Sequence, residues 1–464
     1  MAERVFVKKS EFSYSAASVF AWHARPGALE RLIPPWSKAR VVAKHGGIET
    51  GARVELRMPV GPMSVRWLAE HRNYVEGREF TDVQVDGPFS LWEHTHRVIP
   101  TGASSCTLED TIRYRLPVGA LGNALGGSFV RAELERTFAY RHRVTANDLG
   151  AHARCEAAPA SIAVTGASGL VGSVLVPFLR CGGHRAVEIG RSYAAPSADQ
   201  LRWNPARGEL DTAALEGIDA VVHLAGDNIA SGRWSDARKR SILESRVGPT
   251  RLLAEKLAAM KRKPRVLVSA SAIGFYGERG DRVVSEADAA GEGFLSDVCR
   301  QWEAAVEPAV RAGIRVVVLR IGVVLSSRGG ALARMLPPFL LGGGGVLGNG
   351  RQYMSWISLE DLVSLVHHAV VDERLSGPVN AVAPTAVTNR EFTRTLAGVL
   401  RRPAIVPVPA FALRAAVGEM ADALLLASTR VASTKIAESG FVFRDGDLET
   451  ALRWGLGRLR RADR

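Results

Sequence analysis

Cysteine is scarce in this chain. Four occur in 464 residues, at Cys106, Cys155, Cys181 and Cys299. They form neither a C-x-x-C pair nor a Cys/His cluster, which argues against a disulfide framework and against a zinc site. Long apolar runs are missing too: no stretch reaches the ~18 residues needed to span a bilayer. The N-terminus, Met-Ala-Glu-Arg-Val-Phe-Val-Lys-Lys, lacks a signal-peptide core. A cytoplasmic protein with reduced thiols and no bound metal is expected. Acidic residues are also in deficit, 47 against 60 Lys and Arg, for a net charge of +13. Such an excess raises nucleic acid and anionic membranes as partners. The basic residues are nevertheless spread along the chain. The densest runs, Arg238-Lys239-Arg240, Lys261-Arg262-Lys263 and the tail from Arg458 to Arg464, carry none of the interleaved aromatics that a single-strand binder uses. Solvated surface is the simpler reading, and no nucleic-acid partner is expected.

The chain is too long for one ordinary core, so two or three domains are expected. It is organised around Ile162-Ala-Val-Thr-Gly-Ala-Ser-Gly-Leu-Val-Gly172. Ile162 to Val164 read as the end of a buried strand, and Val171 to Leu179 as a helix. Between them Gly166, Gly169 and Gly172 fall at G-x-x-G-x-x-G spacing. In such a loop the first glycine permits a tight turn, the second a close approach to a pyrophosphate, and the third close packing of helix on sheet. The helix N-terminus adds free N–H groups and a positive dipole end. Gly166, Ala167, Ser168, Gly169, Leu170 and Val171 are the candidate phosphate-binding residues, and a plain glycine-rich turn is the alternative.

Residues 1–148 read as a unit of their own. Val5 to Phe12 alternates as a strand, and Ser15 to Leu32 has helical spacing. Six strand-like segments follow between Ala39 and Leu116, divided by turns such as Gly46-Gly47, Gly61-Pro62 and Asp86-Gly87-Pro88. An amphipathic helix from about Leu121 to Asn147 closes the unit. This order indicates an α+β fold with a curved sheet around a helix. It resembles the START-like superfamily of polyketide cyclases and small-ligand carriers. The resemblance implies a cavity for an apolar ligand, with Trp67, Phe80, Phe89 and Trp92 as candidate lining residues. Ordinary core is the other reading of these aromatics. With no paired acid and base evident, the unit reads as a binding module rather than a catalytic one. Residues 149–160, rich in alanine, read as a linker starting near Asp148.

From Ser161 strands and helices alternate, which means a doubly wound parallel sheet with helices on both faces. The expected divisions are a nucleotide-binding α/β domain at 161–402, a small helical C-terminal domain at 403–456 and a mobile basic tail at 457–464. The residue that ends the second strand selects the cofactor: an acidic side chain suits NAD, an arginine the 2′-phosphate of NADP. Here the strand Val187-Glu188-Ile189-Gly190 ends in Arg191-Ser192, so NADP(H) is expected in preference to NAD(H). The alternative leaves Arg191 on the surface and turns Glu188 toward the ribose. Leu224, Ala225 and Gly226 follow a later strand and present small residues to the adenosine side. His223 before them reads as a strand residue rather than a catalyst.

Several longer segments carry a more specific resemblance. They are the glycine loop, Leu224-Ala-Gly-Asp-Asn-Ile-Ala-Ser-Gly-Arg-Trp234, Glu244-Ser-Arg-Val247, Val268-Ser-Ala-Ser-Ala-Ile-Gly-Phe-Tyr-Gly277, Cys299-Arg-Gln-Trp-Glu303 and Met354-Ser-Trp-Ile-Ser-Leu-Glu-Asp361. With them, residues 161–400 resemble an atypical, epimerase-like group of the extended short-chain dehydrogenase/reductase superfamily. The stretch from Pro403 to Trp454 resembles the small domain that accompanies it. The resemblance implies a small-molecule substrate. It also implies catalysis by a serine, a tyrosine and a lysine, with hydride passing to or from nicotinamide. The serine position matches Ser271, with Ser269 nearby. The tyrosine and lysine positions, aligned on Glu303, hold Leu295 and Cys299. Ordinary dehydrogenase chemistry is therefore in doubt. Tyr276, on the same loop as Ser271, is a substitute candidate or a packing residue. Arg246 stands where relatives place a supporting asparagine, and either brings positive charge to the site or pairs on a helix face. Arg351 and Gln352, after the glycine-rich run Gly342–Gly345, either bind a polar group or sit in a flexible loop. Three functions fit: an NADP(H)-dependent oxidoreductase or epimerase with an altered acid–base group, a non-catalytic NADP(H) redox sensor, and a carrier of an apolar ligand in the first unit.

Overall fold

The computed structural model describes residues 3–60, 63–116, 119–154, 158–191 and 197–463. The expected turn at Gly61-Pro62, Cys155 and Ser192 lie outside them. The chain divides into two units. The first comprises Met1–Glu156, Arg180–Gly183 and Leu456–Arg464, and the second Ala157–Leu179 and His184–Gly455.

In the first unit, strand β1 (Arg4–Phe12) leads to helices α1 (Ala16–Ala24) and α2 (Ala28–Leu32). The Ser15 side chain starts α1 by accepting the Ser18 N–H. Strands β2 (Arg40–His45), β3 (Arg53–Val60), β4 (Met63–Val75), β5 (Glu79–Asp86), β6 (Leu91–Gly102) and β7 (Ser105–Arg115) precede the long helix α3 (Gly119–Arg154). The seven strands form one antiparallel sheet in the order β1-β7-β6-β5-β4-β3-β2. Period-two alternation turns Cys106, Leu108, Asp110, Ile112 and Tyr114 of β7 inward. Phe6, Ile112, Tyr114, Leu134 and Phe138 form one core cluster; Phe12, Val19, Phe20, Phe80, Val98, Cys106 and Leu108 form another.

Three features of this unit add to or depart from the expectations. First, α3 runs past Asn147 to Arg154, because the alanine-rich segment favours helix and Asp148 finds a buried partner. Arg31 Nε and Nη2 donate to its two carboxylate oxygens at 2.8 and 2.7 Å. Second, the four aromatics fall into two groups, with Trp67, Phe89 and Trp92 interlocked and Phe80 in a separate cluster. Trp67 meets Trp92 edge-on at 4.9 Å and Phe89 at 5.7 Å, while Phe80 stacks on His96 at 4.3 Å. Third, the unit does pair acids with bases. Asp82, His94, His96, Asp110 and His142 meet inside it.

The second unit is an eight-stranded sheet. Its strands are β8 (Ser161–Thr165), β9 (Arg185–Gly190), β10 (Gln200–Asn204), β11 (Glu209–Leu210), β12 (Ala220–His223), β13 (Val266–Ala272), Arg315–Ile321 and Gly377–Ala381. The order is β11-β10-β9-β8-β12-β13, then Arg315–Ile321 and Gly377–Ala381. All neighbours are parallel except β10 and β11. Helices α4 (Gly172–Cys181), α5 (Asp236–Ala258) and α6 (Phe294–Ala304) are among the connections. The strands are nearly continuous apolar runs, as burial on both faces requires. The chain steps outward from β8 to β9 and β10, then returns to β12 on the other side. That reversal opens a crevice beyond the carboxyl ends of β8 and β12, where ligands of such sheets bind. C-terminal helices Ala410–Val417, Thr434–Glu438 and Leu448–Leu456 follow. In the tail, Leu459 is buried and a short 3₁₀ turn covers Arg461–Asp463.

Candidate functional site

The loop after β8 has the backbone that its glycines anticipate. Gly166 has φ +71°, and a Cβ there would lie 2.8 Å from the Leu224 carbonyl carbon. Close approach of the β8 and β12 ends, as much as the turn, demands glycine. A Cβ on Gly172 would meet Gly166 O at 2.3 Å and Ala167 Cα at 2.7 Å. The third glycine thus folds the loop onto itself rather than the helix onto the sheet. Gly169 N–H donates to Gly166 O at 2.9 Å, and Gly169 O accepts from Ser173 N at 2.9 Å, which starts α4. A Cβ on Gly169 would have only that carbonyl nearby, at 3.1 Å. Ala167 is buried, whereas Ser168 is exposed.

Leu224, Ala225 and Gly226 face this loop from the end of β12, and Leu224 N–H donates to Thr165 O at 3.2 Å. His223 is fully buried between Thr165 Oγ1 at 2.7 Å and Thr250 Oγ1 at 2.9 Å. Burial lowers its pKa to about 4, so it is a neutral strut. Arg191 is exposed just past β9, beside the half-buried Glu188 within the strand.

Arg246 of α5 lies beneath the Leu224–Asp227 turn. Its guanidinium donates to Asp227 O at 2.8 Å and to Ile242 O at 3.0 Å, and covers the Trp302 ring at 5.1 Å. Burial lowers its pKa from the ordinary arginine value. A Cβ on Gly226 would sit 3.5 Å from its Cζ, in ordinary van der Waals contact.

Ser271 and Tyr276 belong to one buried network. Ser271 Oγ donates to Glu303 Oε1 at 2.7 Å. Arg320 Nε and Nη2 grip the two oxygens of Glu303 at 2.9 Å each, and Nη1 donates to Tyr276 Oη at 2.9 Å. Tyr276 Oη donates in turn to Asn380 Oδ1 at 2.6 Å. Arg320 also covers the Phe275 ring at 3.5 Å. Burial opposes the charge of Arg320, but Glu303 outweighs it and the pKa rises. Burial raises the Tyr276 phenol above its ordinary value, whereas a tyrosine that carries protons needs it lowered. Ser269 is buried in β13, level with His223.

Arg320 and Asn380 had no role in the reading of the motifs, and Glu303 served there only to align the tyrosine and lysine positions. Arg320 was findable: an arginine inside the apolar strand Arg-Val-Val-Val-Leu-Arg-Ile needs an acidic partner if that strand is central. Leu295 and Cys299 lie against the Gly274 segment, 3.4 and 3.8 Å from where its Cβ would be. Burial pushes the Cys299 thiol up to about 12, and Glu303 adds to the shift. The Gly342–Gly345 run is packed rather than loose. A Cβ on Gly345 would lie 1.6 Å from Val406 O. Gln352 is buried and its amide donates to Leu347 O and Leu425 O at 3.1 Å each. Gln352 is therefore spoken for, and Arg351 is left exposed.

A doubly wound parallel sheet with a glycine loop at its reversal defines a nucleotide-binding α/β domain of the Rossmann class. Residues 162–381 match the NAD dependent epimerase/dehydratase family. Residues 12–138 match the polyketide cyclase/dehydrase and lipid transport family, and 408–454 a domain of unknown function. An epimerase family protein of Mycobacterium bovis is 46% identical over 295 residues, 64% of this chain and 97% of that protein. The nucleoside-diphosphate sugar epimerase of Corynebacterium glutamicum superposes with a TM-score of 0.80 at 32% identity, covering 97% of this chain and 90% of that one. The human epimerase family protein SDR39U1, crystallised with NADPH, has a TM-score of 0.59 at 31% identity, over 64% of this chain and 100% of its own. The chain belongs to the epimerase family, in its atypical short-chain dehydrogenase branch, with a START-like domain ahead of the dehydrogenase domain.

Proposed function

We propose that the second unit binds NADP(H) across the crevice at β8 and β12 and acts on a small molecule as an oxidoreductase or epimerase. NADPH in the human relative supports the cofactor. So does Arg191, whose exposed guanidinium follows the second strand, where a planar fork of donors would meet a 2′-phosphate. In this reading Gly166 to Val171 hold the pyrophosphate, and Leu224 to Gly226 flank the adenosine. Ser192, outside the described residues, is assigned to the 2′-phosphate with Arg191. When bound, the nicotinamide supplies hydride transfer.

The chain's own residues do the rest. Ser271 orients a substrate oxygen, its hydroxyl set by the Glu303–Arg320 pair. Tyr276, with its hydroxyl engaged by Asn380 and Arg320, holds that pair in place. Arg246 and Ser269 brace the cofactor side. A second reading, an NADP(H) sensor without turnover, is favoured by Leu295 and Cys299 at the tyrosine and lysine positions.

Calorimetric titration with NADPH, NADP⁺, NADH and NAD⁺ tests the cofactor. NADPH should bind more tightly than NADH, and Arg191→Ala should shrink the preference. Equal affinity of the wild type for both removes Arg191 from the site. Ser271→Ala should leave NADPH affinity nearly unchanged while abolishing any consumption of NADPH with carbonyl substrates. Retained turnover in that variant excludes Ser271 from the chemistry.

A further inference from the structure

The first unit holds a set of ligating side chains that the dehydrogenase chemistry does not use. They come from neighbouring strands on the face of the sheet toward α3. Asp82 of β5 is level with His94 of β6, and His96 of β6 is level with Asp110 of β7. Because His94 and His96 are two apart on one strand, both rings point inward. The rings lie 3.8 Å apart between centroids. Phe138 meets the His94 ring edge-on at 5.1 Å, and Phe80 stacks on His96, so both rings are fixed by packing.

Each ring presents one nitrogen to each carboxylate. Asp82 Oδ2 lies 2.9 Å from His94 Nδ1 and 3.2 Å from His96 Nε2. Asp110 Oδ1 lies 2.8 Å from His94 Nε2 and 2.7 Å from His96 Nδ1. Its other oxygen is 2.6 Å from His142 Nε2, and His142 Nδ1 is 2.8 Å from Ser10 Oγ. A neutral imidazole carries a single N–H. Two neutral rings offer two N–H groups to four close nitrogen–oxygen approaches. Only His94 Nε2 with Asp110 and His96 Nε2 with Asp82 have hydrogen-bond geometry, and the buried His96 Nδ1 has no hydrogen-bond partner. Two adjacent imidazolium rings would repel each other, whereas a dication between Asp82 and the two rings leaves both neutral.

We propose that Asp82, His94 and His96 hold a divalent transition-metal ion of the zinc class, with Asp110 as the carboxylate that orients both imidazoles. The three donor atoms all lie within 4.8 Å of one another. Tetrahedral ligands at ordinary zinc distances are about 3.3–3.5 Å apart, so small shifts suffice. A ligating histidine characteristically donates its other ring N–H to a carboxylate, and Asp110 is within reach of both. Two imidazoles and one carboxylate leave a coordination position open, as sites that bind or activate a water or substrate do. His94 and His96 are buried, but the Asp82 side chain keeps 18% of its exposure. The ion would therefore be reached from the Asp82 side.

The test uses the full chain, stripped with chelator and titrated with Zn²⁺ by calorimetry. One equivalent should bind. Asp82→Asn and His94→Ala should each weaken it by about 100-fold, and Asp110→Asn by about 10- to 100-fold. Circular dichroism and the melting transition of the first unit report whether each variant is folded. Should the variants fail to fold, Co²⁺ added to the wild type decides. A weak visible band without thiolate charge transfer supports nitrogen and oxygen ligation, and its absence overturns the proposal. Absence of stoichiometric Zn²⁺ binding, or binding indifferent to Asp82→Asn and His94→Ala in folded protein, also overturns it.

Discussion

At the scale of single residues, burial decides what each titratable group does. Cys299, read from the sequence as standing at the lysine position of the resembling superfamily, has its thiol buried and pushed up to about 12. It is therefore no nucleophile, since only the thiolate reacts. Iodoacetamide at pH 8 should leave Cys299 unlabelled in native protein and label it after unfolding, read by peptide mass spectrometry. Rapid native labelling would mean that the α6 packing opens. Asp361 gives the opposite kind of case. Its carboxylate accepts the Arg444 and Asp445 N–H groups at 2.8 and 3.0 Å. Burial, aided by the charge of Asp445, nonetheless raises its pKa from the ordinary 3.8 to about 7. The folded state then holds a proton that the unfolded state releases between those values, so stability falls as pH rises from about 4 to about 7 and is level above. Urea midpoints at pH 5 and pH 8 should show this loss in the wild type, and Asp361→Asn should flatten it.

At the scale of elements, two devices fix the second unit: backbone crowded against backbone, and one buried ion pair. Gly345→Ala would place a methyl group 1.6 Å from Val406 O, with no side chain able to yield. Its melting temperature should drop by several degrees, whereas Gly398→Ala, with nothing within 4 Å, should not lower it. Arg320 and Glu303 join the strand Arg315–Ile321 to α6, with side chains 4% and 13% exposed. Removing one partner strands the other charge in the interior. Arg320→Ala should therefore cost about 3–5 kcal/mol in urea denaturation. If the cost is below about 1 kcal/mol, water reaches Glu303 and the pair is not the strut described. The elements themselves were largely legible from residue pattern. Strand β8, the glycine loop and α4 follow from local periodicity and three glycines. The end of α3 did not, because Asp148 is turn-like until Arg31 supplies its buried partner. The glycines of 342–345 suggested mobility for the same reason: a close backbone neighbour at Val406 leaves no mark on the local sequence.

At the scale of the molecule, the chain joins a START-like unit to a dehydrogenase unit, and the amino-acid order determined both. Antiparallel alternation followed by strand–helix alternation is written residue by residue, because periods of 2 and 3.6 are local properties of the backbone. The glycine loop, Arg191, Ser271 and the missing tyrosine–lysine pair belong to the same local record. Only the tertiary structure decided which charged groups meet. Ser271, Glu303, Arg320, Tyr276 and Asn380 are brought together by parallel strand register and the packing of α6. Asp82, His94, Asp110 and His142 converge from three strands and a helix. Such contacts depend on register and on helix placement across long sequence separations. The core as a whole sets these, and no window of neighbouring residues contains them.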